Sequence, residues 1–123
     1  MRRCGQGLTA PDYISSLLDM SRRYQSALPR KWLGLARVFS ALGDEQRQRI
    51  LLMFARDEEL TIKQIYDGCP LSRTAVTHHI RVLRDVGLLV AEKRGREVFL
   101  KPNPTVALEA LERLRDYIRE ELQ

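Results

Sequence analysis

Residues 71–101 read LSRTAVTHHIRVLRDVGLLVAEKRGREVFLK, and this stretch decides the fold. Ser72 is placed to cap a helix, because its hydroxyl can accept from a first-turn amide that has no partner inside the helix. Ala75, Val76, Ile80, Val82, Leu83 and Val86 then recur at helical spacing, which predicts one buried face. Gly87 follows where a left-handed residue would end the helix. The opposite face carries Arg73, Thr74, Thr77, His78, Arg81 and Arg84, with no carboxylate before Asp85. Hydroxyls, an imidazole and guanidiniums can all reach phosphates or base edges. On an isolated helix such a stripe is more often a solvated face, so the neighbouring residues have to decide.

Residues 88–93 and 96–101, LLVAEK and REVFLK, are short strand-like runs with Arg94-Gly95 between them. Glycine supplies the positive φ that a tight hairpin turn needs. The tip, KRGR, holds three cations in four residues, more than a hairpin requires. A basic finger beside a helix of this kind can lie along phosphates or enter a minor groove. The pattern points to a helix that reads duplex DNA and a β-wing beside it. Arg73, Thr74, Thr77 and His78 are expected at base edges, Arg81 and Arg84 nearer phosphates, and Lys93, Arg94 and Arg96 at the wing contact. Ser72 would offer the amide end of the helix to a phosphate.

LSRTAVTHHIRVLRDVGLL resembles the helix-turn-helix of the ArsR/SmtB family of small winged-helix repressors. Ser72, Val76, Thr77, His78, His79, Leu83, Gly87 and Leu88 carry the likeness, and ALGDEQRQRILLMF (residues 41–54) is similar to the family's other recurring segment. The resemblance covers residues 33–122. It implies a repressor that pairs through its terminal helices. Members of the family that sense soft metals often carry paired cysteines on the helix before the reading helix. Thr61 and Lys63 stand at those positions here. The family's other common site takes Asp and His ligands from the last helix, and residues 104–123 contain no histidine. The family's usual metal sites are therefore not expected, and no other cofactor is implied; the effector is left open.

A chain of 123 residues is one domain's worth, and its 44% hydrophobic and 30% charged residues describe a folded, mostly helical domain. The net charge of +5 is unevenly placed: residues 71–101 hold seven Lys/Arg against three Asp/Glu, and residues 102–123 hold three against five. The positive field is densest on the proposed reading head. No apolar run approaches a membrane span, and MRRCGQGLTAPDY lacks the apolar core of a secretory signal. Two cysteines, Cys4 and Cys69, make no disulfide framework, which fits a reducing cytoplasm.

In chain order, residues 1–10 are expected to be a flexible N-terminal segment and residues 11–123 one domain for DNA binding and dimerisation. Ile14, Leu17 and Leu18 lie on the apolar stripe of a first helix that stops at Pro29. Trp32, Leu33, Leu35, Ala36, Phe39 and Leu42 form the stripe of a second, ending at Gly43. Asp44 caps a third, with Ile50, Leu51, Phe54 and Ala55 inward. Residues 61–66 make a short helix, and Asp67-Gly68-Cys69-Pro70 the turn before the reading helix. After the wing, residues 105–122 form a last helix with Ala107, Leu108, Leu111, Leu114, Ile118 and Leu122 on one side. One small core hardly needs both terminal stripes. Pairing with a second copy, through Ile14, Leu17, Leu18, Leu108, Leu111, Leu114 and Ile118, would bury both.

Other chemistry is poorly represented. Adjacent His78 and His79 point about 100° apart on a helix and do not chelate one metal as an i,i+4 pair can. His79 falls toward the buried edge, with packing and one hydrogen bond as its expected role. Cys69 reads as a small buried residue and Cys4 as a thiol without partners, although a metal- or redox-responsive repressor using either stays open. So does a winged-helix module that binds a protein. No phosphate loop, metalloprotease motif or nucleophile elbow is present, so an enzyme is not expected. The sequence thus predicts a mainly α fold with one β-hairpin: a winged helix-turn-helix that dimerises through its terminal helices and binds double-stranded DNA at an imperfect palindrome.

Overall fold

Pro29 fixes the entry to the first described helix, α1 (Arg30–Leu42), and its carbonyl accepts from the Trp32 amide at 2.8 Å. The computed structural model describes residues 24–123, so Cys4 and most of the expected first helix, with Ile14, Leu17 and Leu18, lie outside the described residues. The end of that helix, expected to reach Pro29, is not helical over residues 24–29, where Tyr24 and Leu28 are exposed and pack on nothing that would hold a turn. Leu35, Val38 and Ala41 are the buried positions of α1. The expected stripe is rotated: Leu33 and Ala36 are exposed, because α2 and α5 both pack on the side that holds Val38 and Ala41.

The end of α1 accounts for each carbonyl that a helix terminus leaves without an internal partner. Phe39 O accepts from the Gly43 amide at 2.8 Å, Ser40 O from Arg47 Nη2 at 3.2 Å, Ala41 O from Arg47 Nε at 2.9 Å, and Leu42 O from Gln48 Nε2. Arg47 and Gln48 belong to α2 (Glu45–Leu51), whose own start is capped by Asp44, accepting from the Arg47 amide at 3.1 Å. That hydrogen bond is the main reason the Asp44 carboxyl titrates below its usual range. Ile50 is buried as expected. Ala55 is exposed, contrary to the helical periodicity, because α2 ends at Leu51 and the chain turns through Asp57 at φ 60°.

A strand of two residues, β1 (Leu60–Thr61), was not legible in the sequence; it leads into α3 (Ile62–Gly68). Thr61 caps α3 in a reciprocal box with Gln64: its hydroxyl accepts from the Gln64 amide at 3.1 Å and its own amide donates to Gln64 Oε1 at 2.8 Å. The reading helix is α4 (Arg73–Asp85), with Val76, Ile80 and Leu83 buried. The hairpin follows as β2 (Leu89–Arg94) and β3 (Glu97–Pro102), one residue later than expected at each strand start. Its turn is Gly95-Arg96, with Arg94 opposite Glu97 and Gly95 at φ 62°. The sheet is antiparallel in the order β1-β3-β2, so the hairpin gains a short third strand through Leu60↔Leu100 and Thr61↔Phe99.

The last helix, α5 (Pro104–Tyr117), runs into a π-helical turn at Ile118–Leu122. The stripe expected on one side splits. Ala110 is buried, and Val106, Ala107, Leu114 and Tyr117 are half-buried against the domain, with Tyr117 meeting Trp32 edge-on at 4.9 Å between ring centroids. Leu108 and Leu111 point the other way, 56% and 52% exposed, and Ile118 and Leu122 join them on the surface.

Candidate nucleic-acid interface

Both ends of α4 are built as its sequence dictates. Ser72 Oγ accepts from the Ala75 amide at 3.2 Å. At the other end Gly87 adopts φ 84°, and the Leu88 amide reaches Leu83 O at 2.9 Å while the Gly87 amide reaches Arg84 O at 3.0 Å. These are the paired bonds of a Schellman stop, which lets the chain reverse directly into β2. With Val76, Ile80 and Leu83 fixed in the core, Arg73, Thr74, Thr77, His78, Arg81 and Arg84 are all exposed. At ~100° per residue they share one side of the helix, an arc of about 140°.

The helix before it contributes a residue that the sequence did not single out. Tyr66, half-buried near the end of α3, places its hydroxyl 2.7 Å from Thr77 Oγ1, and the Arg73 guanidinium lies 5.3 Å from its ring centroid. Thr77 and Arg73 are therefore both braced by α3. Tyr66, Thr77, Arg81 and Arg84 also line an open groove of about 430 Å³ between the two helices. No pattern in the sequence announces this pairing, since the two hydroxyls belong to different helices.

His78 is exposed on the reading side, and His79 is half-buried with its Nδ1 3.3 Å from Arg47 Nη1. His79 thus has the packing and the single hydrogen-bond partner expected of it. Cys69 sits half-buried in the turn between α3 and α4, packed against the core.

At the wing, Lys93, Arg94 and Arg96 are exposed. Lys93 and Arg96 make no ion pair among the described residues. Arg94 does: it donates to both oxygens of Glu59, at 2.6 and 3.0 Å, and to Glu92 at 2.8 Å. Its hydrogen bond holds the Glu59 carboxyl below the usual carboxylate range, and Glu59 in turn raises the Arg94 pKa. Thr61 and Lys63, standing where the family's soft-metal sensors carry cysteines, are used otherwise. Thr61 caps α3, and Lys63 Nζ lies 3.7 Å from Asp67. Among the described residues no three His, Cys, Asp or Glu side chains gather as a metal set.

A short capped helix, a turn, a longer capped helix with a polar outer face, and a basic hairpin define a winged helix-turn-helix. Comparisons with known proteins agree. A family described as "Helix-turn-helix domain" matches residues 42–91. The HTH-type transcriptional regulator YuzN of Bacillus subtilis is 33% identical in an alignment that covers 48% of this chain and 71% of that protein. The arsenic resistance transcriptional regulator ArsR1 of Pseudomonas putida is 32% identical over 56% of this chain, and the chain spans only 54% of that relative's length. An ArsR-like transcriptional regulator from Rhodococcus sp. RHA1 superposes with a TM-score of 0.67 at 29% identity, covering 73% of this chain and 84% of that one. The chain belongs to the HTH-type transcriptional regulators, and the Pseudomonas and Rhodococcus proteins carry its likeness to those of the ArsR type.

Proposed function

We propose that this regulator is a homodimeric repressor that works in the cytoplasm and binds an imperfectly palindromic operator in double-stranded DNA. The observation that carries the reading is the outer face of α4. Its exposed side chains from Arg73 to Arg84 are hydroxyls, imidazole and guanidiniums with no carboxylate among them, and Lys93 and Arg96 extend the same charge onto the wing. Arg73, Thr74, Thr77 and His78 are assigned to base edges, Arg81, Arg84, Lys93 and Arg96 to phosphates, and Ser72 with the α4 amides to a phosphate at the helix start. The pairing surface is the exposed side of α5, Leu108, Leu111 and Ile118, with Leu114 at its margin, joined by Ile14, Leu17 and Leu18. Two reading helices would then meet major grooves roughly 34 Å apart.

Titrating fluorescent duplexes from the protein's own promoter region tests this. Affinity is expected to fall steeply with salt. Lys93→Ala with Arg96→Ala should weaken binding to every sequence and flatten the salt slope by roughly 0.9 for every phosphate no longer neutralised. Thr77→Ala or His78→Ala should instead relax discrimination at particular base pairs, by about 1–3 kcal/mol each. Binding that ignores salt, or no preference among duplexes, would sink the reading.

The effector is proposed to lie outside the family's usual metal sites. The Pseudomonas putida relative is named for arsenic resistance, but Thr61 and Lys63 offer a hydroxyl and an ammonium where thiolates would be needed, and an ammonium repels a cation. Zinc, cadmium or arsenite at low micromolar levels should leave operator affinity unchanged in reducing buffer. A stoichiometric complex that released DNA would overturn this, with Cys4→Ser and Cys69→Ser locating the thiol responsible.

A further inference from the structure

Arg94 stands at the tip of the wing, where the sequence led us to expect a phosphate contact, but its guanidinium is already engaged. Its two terminal nitrogens grip both oxygens of Glu59 at 2.6 and 3.0 Å, one of them also reaches Glu92 at 2.8 Å, and its centre lies 4.6 Å over the Phe99 ring. A fork that meets a carboxylate in this way combines charge with fixed geometry. Glu59 immediately precedes β1, whose Thr61 pairs with the same Phe99. The contact therefore clamps the free end of the hairpin to the segment that leads into α3.

Two further observations set Arg94 apart from its neighbours. Successive side chains on a strand point to opposite faces. Lys93 falls on the face of Leu89 and Ala91, which the sheet turns toward the helices, and Arg94 falls on the outer face with Val90 and Glu92. The charge of Arg94 is also balanced locally by two carboxylates, while Lys93 and Arg96 make no ion pair among the described residues. Exposed ion pairs singly contribute little to global stability. What this cluster controls is where the hairpin stands.

We infer that Arg94 is a positioning residue of the wing and not a DNA contact: with Glu59 and Phe99 it fixes the hairpin so that Lys93 and Arg96 are held beside the reading helix. The inference rests on the DNA-binding reading above, and a double-mutant cycle on the full chain tests the two separately. Arg94→Met and Glu59→Gln are made singly and together, and each protein is measured for amide exchange in the β2–β3 hairpin and for affinity to one operator duplex over a salt series. Either single change should speed hairpin exchange by about threefold or more, and the pair by no more than the larger single effect. In DNA binding, Glu59→Gln should be less favourable with Arg94 present than with methionine in its place, because only the former loses a clamp. The double variant, unchanged in net charge, should keep the parent's salt slope.

A direct phosphate contact predicts the reverse on both counts. Removing Glu59 would unmask Arg94 and favour binding more when Arg94 is present, and the salt slope of the double variant would fall by about 0.9. Either result, or hairpin exchange untouched by Arg94→Met, overturns the assignment. A parent protein that binds no duplex would instead refute the DNA-binding reading, and hairpin exchange would still report whether the clamp exists.

Discussion

Helices α4 and α5 are almost equal in length, 13 and 14 residues, and both are amphipathic, yet their surfaces end differently. α4 buries Val76, Ile80 and Leu83, and the side it turns to solvent is polar. α5 buries only Ala110 and leaves Leu108 and Leu111 in solvent, with Ile118 and Leu122 continuing the same side. A scattered exposed leucine is ordinary, but a row of them is a surface with something left to cover. The contrast separates a helix committed to its own core from one with a second apolar face, and it can be put to experiment.

The largest expected effect is on association. Leu108→Glu with Leu111→Glu removes two leucines from the proposed contact, each worth on the order of 1.5–3 kcal/mol when fully buried. Sedimentation at micromolar concentration should show a dimeric parent and a monomeric variant. A folded parent that sedimented as a monomer would erase the distinction between the two helices.

Next comes the core. Leu83 on α4 is fully buried, and Leu83→Ala should cost about 2–5 kcal/mol in chemical denaturation. Leu108→Ala, measured with Leu111→Glu at a concentration where sedimentation shows that protein to be monomeric, should stay within about 0.5 kcal/mol. Similar costs at the two sites would mean that the outer side of α5 is covered within one chain.

Capping gives a smaller and sharper test. Ser72 accepts from the Ala75 amide, whereas Asn103 before α5 makes no side-chain cap. Ser72→Ala should therefore cost about 1 kcal/mol, and Asn103→Ala a few tenths at most.

The smallest effect is an acid one, and it should spare both helices. The Glu59 carboxyl lies below its ordinary value of 4.5 because Arg94 donates to it. A lowered carboxyl stabilises the fold fully above that ordinary value, and the contribution is lost as pH falls through the folded value. Hairpin amides should lose protection in that acid window before those of α4 and α5, as read by exchange across a pH series.

What could be read ahead of the structure was local in sequence. Ser72, the Val76-Ile80-Leu83 row and Gly87 lie within one helix and its two ends, and each has a fixed chemical meaning, so α4 emerged almost residue for residue. The wing turn was legible because glycine at positive φ admits few substitutes. What failed was set by distant partners. β1 exists because Leu60 finds Leu100, 40 residues on, and two residues carry no period of their own. Leu33 and Ala36 fit a helical stripe as well as Val38 and Ala41 do, and only the positions of α2 and α5 choose between them. Arg94 looked like its basic neighbours because Glu59 is 35 residues away. The bond between Tyr66 and Thr77 was hidden for the same reason.

The guanidinium that closes the end of α1 also makes a mechanical joint. The Arg47 side chain is only 12% exposed, and its flat head is held at one edge by the carbonyls of Ser40 and Ala41 and at another by the imidazole of His79. Hydrogen bonds weaken steeply once lengths and angles leave a narrow range. The end of α1 and the middle of α4 therefore cannot slide past each other freely; they are linked by a strut one side chain long. The strut ends on His79, whose neighbour in the chain is the exposed His78.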